Sequence, residues 1–185
     1  MINIMISFAD LLDTLIDRVG RFAAWSALAL VLLMAFNVLL RYFLRTGSVA
    51  LQEMEWHLMA FLALVCMSYT TLKDGHVQVD IFYARFPAAA QRIIHLVSCT
   101  LILGVAVILL KLSIPYVMQS YMIGEGSPDP GGLDNRWIIK GFIPLGFALL
   151  VIQSFAAWLR ALAAVLIPSS PSPAPAQYEN RDAAE

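Results

Sequence analysis

Four apolar stretches, Phe22 to Leu40, Trp56 to Leu72, Ile93 to Leu110 and Phe142 to Leu159, run through this chain without one Asp, Glu, Lys or Arg inside them. Each is 17 to 19 residues long, and a helix needs about 20 mainly apolar residues to cross the hydrocarbon of a bilayer. Lipid offers no hydrogen bonds to backbone groups, so only helices or closed barrels span it. Continuous apolar runs without period-2 alternation exclude the barrel. The pattern therefore predicts an all-α membrane protein with four transmembrane helices. With their helical flanks the spans are expected at about 22–45, 49–72, 87–123 and 137–162, making a membrane domain over residues 22–167.

The segments between the spans add detail. In residues 1–21, Leu11, Leu12, Leu15, Ile16 and Val19 share one helical face, with Asp10, Asp13 and Asp17 elsewhere. This predicts an amphipathic N-terminal helix feeding the first span, lying on the membrane surface or against a partner protein. Acids before any cation are unlike a cleavable signal. Thr46-Gly47-Ser48 breaks the first helix, and Ser48 is placed to cap the next from about Val49. The short turn sets Arg41 and Arg45 opposite Glu53 and Glu55, either as interfacial anchors or as an orienting group. Pro87 suits the first turn of the third helix, which is expected to run past Lys111 to about Ile123, bent at Pro115. Gly124 to Asn135 is rich in turn formers. Trp137, Trp158 and Arg160 read as membrane anchors, and the Pro-rich, polar residues 168–185 as a disordered tail. Ala23, Ala27, Val31 and Ala35 form a row that permits close helix packing.

Composition agrees with a membrane protein: 60% hydrophobic, 14% charged and a mean hydropathy of +0.75 lie outside the soluble range. A net charge of −1 gives no basis for nucleic-acid binding. Cys66 and Cys99 fall within spans and lack metal-ligand or redox spacing. Seven Lys and Arg flank the terminal side of the four spans and five the other, so the positive-inside rule puts both termini in the cytoplasm. His57 and His95 raise the alternative of a haem- or quinone-bearing membrane anchor. They open their spans on opposite sides, separated by nearly the whole hydrocarbon core of about 30 Å, so a shared haem is not expected.

Several segments together resemble one family. These are Asn37-Val38-Leu39-Leu40-Arg41-Tyr42, the acidic pair Glu53 and Glu55, and Gly75-His76-Val77-Gln78-Val79-Asp80. Ser127-Pro128-Asp129-Pro130-Gly131-Gly132 follows, with Arg136-Trp137 and Pro144-Leu145-Gly146-Phe147. In this order, over about Val19 to Leu162, the chain resembles the small membrane, or Q, subunit of tripartite ATP-independent periplasmic (TRAP) transporters. Gly75 to Asp80 matches the family's Gly-x-His-(apolar)-x-(apolar)-Asp loop. The resemblance implies a complex in the bacterial inner membrane with a large multi-span subunit, served by a periplasmic substrate-binding protein. In such a complex the large subunit carries substrate and sodium and moves as an elevator, while the small one braces it. The transport implied is sodium-coupled symport of organic acids, without catalysis or a cofactor. It makes Arg41, Arg45, Glu53, Glu55, His76, Asp80 and Arg85 candidates for subunit interface or orientation. Glu125, Asp129, Asp134 and Arg136 become candidate contacts for the binding protein. His76 and Asp80 alone fall short of a four-coordinate metal site. Within the spans the polar groups are Asn37, Gln153, hydroxyls and, near span ends, His57 and His95, too few for a substrate path, which agrees with a supporting role. A redox-complex anchor and a free-standing small exporter remain as other classes.

Overall fold

The computed structural model describes residues 2–45, 47–73 and 86–166. It holds four helices: α1, Ile2–Leu44; α2, Val49–Leu72; α3, Ala88–Met122; and α4, Trp137–Leu166. All four are long and apolar enough to cross a membrane, and no strand occurs among the described residues. The chain is thus an all-α, four-span protein. The Gly75 to Asp80 loop and the expected disordered tail lie outside the described residues.

Local chemistry accounts for the helix ends. The Ser48 hydroxyl accepts the Leu51 N–H and starts α2. At the end of α3, Gly124 adopts φ +61°, donating to Tyr121 O while Glu125 N–H reaches Ser120 O. That is the paired hydrogen bonding of a glycine-terminated helix. α1 is one unbroken helix of 43 residues, about 65 Å at 1.5 Å per residue. The acidic N-terminal segment is therefore a rigid continuation of the first span.

α4 is the hub, packed against α1, α2 and α3, and α2 also packs on α1. α3 meets α4 along Leu96, Cys99, Leu103, Ala106, Leu110, Ser113, Val117 and Ser120, of which Cys99, Ala106, Ser113 and Ser120 are buried. This three-and-four spacing is a coiled-coil seam, and its small residues let the backbones approach. Elsewhere the Tyr69 ring lies over Gly20, and the Leu64 backbone lies against Gly146. Ile16, Ala23, Val65 and Leu149 form the buried core between α1, α2 and α4.

The inward face of α1 differs from the one expected at its N-terminal half. Leu11 and Leu15 are 65% and 46% exposed, while Ala9 and Ile16 are fully buried. Asp13 and Asp17 turn partly inward with them. Charge pairing to α2 and α4, together with the Gly20 contact, sets the rotation of the helix. Of the alanine row, Ala23 is buried, whereas Val31 and Ala35 face outward.

Candidate functional site

The polar side chains gather at the two ends of the bundle, called here the loop end, with the first and third connections, and the terminal end. At the loop end Glu53 is only 4% exposed. Its carboxylate accepts the Ser127 hydroxyl and, at 2.6 Å, the Leu133 N–H, so the N-terminal part of α2 holds the third connection in place. Gly132 passes against this group, where any Cβ would strike Ser127 and Glu53. Glu55 accepts from Asn37 Nδ2 at 2.9 Å, joining α1 to α2. Glu125 takes Lys140 Nζ and the Ser120 hydroxyl, while Arg136 N–H donates to Glu125 O at 2.9 Å. Chiefly through Lys140, the Glu125 carboxyl is held below the usual carboxylate range.

At the terminal end, Arg160 on α4 binds Asp13 and, at 2.7 Å, Asp10. Gln153 Nε2 donates to the other oxygen of Asp13 at 3.1 Å. Lys73, just past α2, meets Asp17 at 2.9 Å, and that hydrogen bond raises the lysine pKa. Arg21 shares Asp17 at 2.6 Å. Three acids of α1 thus tie it to α2 and α4.

The two sets of contacts give the bundle a thickness. Lys140 and Arg160 lie 20 residues apart on α4, as do Glu53 and Lys73 across α2, each about 30 Å of helix. That equals the hydrocarbon core of a bilayer.

The residues singled out in the sequence fall in different places. Glu53 and Glu55 are engaged by Ser127, Leu133 and Asn37; Arg41 and Arg45 are exposed, and no ion pair joins them to either glutamate among the described residues. Arg41 instead lines a cleft of 310 Å³ between α1 and α2 with Asn37, Ser48, Gln52 and Glu55. Asp129 and Asp134 are exposed, whereas Glu125 is an internal tie and Arg136 is half-buried. Trp137 packs edge-on to Tyr121 at 5.4 Å, and Trp158 donates to Thr100 at 3.0 Å. Arg160 acts as a clamp between helices. His76, Asp80 and Arg85 lie outside the described residues.

His57 Nδ1 contacts Glu53 O at 2.6 Å, and His95 lies 3.8 Å from Cys99 Sγ on its own helix. Among the described residues no group of three or more His, Cys, Asp or Glu is placed to hold a metal. Sequence reasoning missed the partners of Asp10, Asp13 and Asp17. Their spacing of three and four was the available signal, because it puts all three on one side of a helix.

Residues 30–164 match the family described as tripartite ATP-independent periplasmic transporters, DctQ component. A relative from Pseudomonas aeruginosa, named as the C4-dicarboxylate TRAP transporter small permease protein DctQ, is 30% identical over 109 residues. The match covers 55% of this chain and 52% of that protein, so the chain spans about half the length of the curated relative it matches.

Proposed function

The chain belongs to the DctQ component family of tripartite ATP-independent periplasmic transporters, and on that premise we propose that it is the small permease subunit of a sodium-coupled organic acid uptake system. In this reading it braces a large multi-span subunit in the inner membrane, and its third connection helps dock a periplasmic substrate-binding protein. Both termini, with His76, Asp80 and Arg85, face the cytoplasm. Asp129 and Asp134 face the periplasm, on the surface that a binding protein reaches. The name of the Pseudomonas relative makes C4-dicarboxylates the first substrates to test.

One observation supports the supporting role above all. At the terminal end Asp10, Asp13 and Asp17 of α1 pair with Arg160 and Lys73, and at the loop end Glu53 and Glu55 of α2 take donors from the third connection and from α1. Between the two ends, the hydroxyls of Ser68, Thr70 and Ser113 bond the backbone of their own helices. Substrate and ion paths need polar, usually ionisable, groups at membrane depth, and the hydroxyls named here are taken up by their own helices.

The test is co-expression of the tagged chain with the large subunit and the binding protein, followed by purification in mild detergent. The large subunit is expected to copurify in fixed ratio. In proteoliposomes, uptake driven by an imposed sodium gradient should require this chain, the large subunit and the binding protein together. Consistent failure of the large subunit to copurify would sink the proposal.

A further inference from the structure

Lys111 is the one described cation of α3 that stands between the two polar ends. Trp158 Nε1 donates to Thr100, and Lys140 Nζ lies 4.4 Å from the centre of the Tyr116 ring. These two contacts fix the antiparallel register of α3 on α4 and put Lys111 abreast of Gly146. Gly146 is about six residues, or 9 Å, inside Lys140, and about 21 Å from Arg160. Lys111 therefore sits at hydrocarbon depth.

Its surroundings inside the chain do not satisfy it. The side chain is exposed, and among the described residues no ion pair or hydrogen bond engages its ammonium. It points away from the α4 seam, among Ile108, Leu112 and Ile114, all more than half exposed. Lysines near helix ends reach water by extending their stems. Here the Cα–Cβ bond tilts toward the N-terminus of α3, away from the nearer surface. An unpaired ammonium facing lipid at this depth is costly, and such residues are functional by default.

A second observation lies on the same face. Gly104, two helical turns earlier, is exposed, and a Cβ built there would meet nothing within 4 Å. Glycine weakens a helix interior relative to alanine, and among the described residues no contact requires its absent side chain. Close approach of another helix is what such a position serves.

We propose that the outward face of α3, through Leu101, Gly104, Ile108 and Lys111, seats a transmembrane helix of the large subunit, and that an Asp or Glu on that helix pairs with Lys111. The inference rests on the assignment of this chain as a small permease subunit and names the chemistry of the contact. The partner helix crosses closest at Gly104 and carries its carboxylate one to two turns toward the loop end.

The test uses the full complex. Wild type, Lys111→Arg, Lys111→Leu and Lys111→Glu are co-expressed with the large subunit and purified through a tag on this chain. Recovery of the large subunit is expected to hold within about twofold for Lys111→Arg and to fall about tenfold for Lys111→Leu and Lys111→Glu, because each strands a buried carboxylate. A second arm replaces Ile108 with the photo-crosslinker p-benzoylphenylalanine and irradiates native membranes. An adduct with the large subunit is expected. If wild type recovers the large subunit and the Leu and Glu variants recover it equally well, the Lys111 pairing is overturned while the subunit assignment stands. Crosslinks confined to lipid or to a second copy of this chain overturn the interface in the same way. If wild type recovers no large subunit, the assignment itself fails and this inference with it.

Discussion

Glu53 places a carboxylate almost out of water by giving it two donors from a segment more than 70 residues away, Ser127 and Leu133. Leucine at this position would fill the space but strand both donors, and a buried donor without an acceptor loses its full desolvation cost. Glu53→Leu should therefore leave the four helices intact while releasing the third connection. Limited proteolysis between residues 124 and 135 is expected to speed up about tenfold, because cleavage follows local opening. An unchanged cleavage rate would refute the latch. Glu125 makes a pH-dependent prediction. Its carboxyl is held below the ordinary glutamate value of 4.5, first by Lys140 and then by Ser120. The folded connection binds fewer protons than the unfolded one near that pH, so the stabilisation is present above 4.5 and is lost as pH falls through the lowered value. Trp137 fluorescence should report loosening on that acid limb, and Glu125→Gln should flatten it. An acid limb of the same size in the variant would assign the titration to another group.

Helix against helix, the contacts are set by glycines and by charge pairs. The Leu64 backbone lies against Gly146, so Gly146→Leu must push α2 off α4 at a cost of about 1–3 kcal/mol, the usual range for overpacking. Thermal denaturation in detergent should show it, whereas Gly141→Leu, where an added Cβ meets nothing within 4 Å, should stay close to wild type. For the clamp between α1 and α4, a double-mutant cycle of Asp13→Asn and Arg160→Gln should return a coupling of about 0.5–3 kcal/mol. Coupling near zero would make Arg160 an interfacial anchor and nothing more. These contacts also mark how far the sequence could be read. The apolar runs disclosed four helices because lipid leaves the backbone no alternative, and Ser48, Pro87 and Gly124 mark helix ends by local chemistry. The turn between Leu44 and Val49 brought Arg41 near Glu55, lining one cleft, but the acceptor role of Glu55 went to Asn37, which lies 18 residues earlier. Arg160 with Asp13 spans 147 residues. Such a pairing depends on which helices are neighbours and on their rotation, and neither is encoded locally.

At the scale of the molecule, α4 joins an α1–α2 pair on one side to α3 on the other, leaving large apolar faces on α1 and α3. The proposed orientation of that assembly depends on a narrow balance of cations, and the structure changes the balance. Counted by connection, seven Lys and Arg oppose five. Lys111 lies abreast of Gly146 at hydrocarbon depth, so it belongs to neither surface and leaves Arg41, Arg45, Arg136 and Lys140 on the loop end. Asp10, Asp13 and Asp17 partner Arg160, Arg21 and Lys73, but acids contribute little to orientation. The terminal end therefore keeps the larger weight of positive charge, and the third connection is expected outside. With Cys66 and Cys99 replaced by alanine, a thiol at Asp129→Cys should react with a membrane-impermeant maleimide in intact spheroplasts. One at Asn180→Cys should react only after lysis. The reverse pattern would invert the molecule and put the third connection out of reach of any periplasmic partner. Because the margin is small, adding Asp129→Lys and Asp134→Lys should bring the loop end to six cations against seven and yield a mixed population, with Asn180→Cys then partly labelled from outside. Unmixed labelling in that variant would show that the orientation is fixed by something other than charge, with assembly onto the large subunit the first determinant to test.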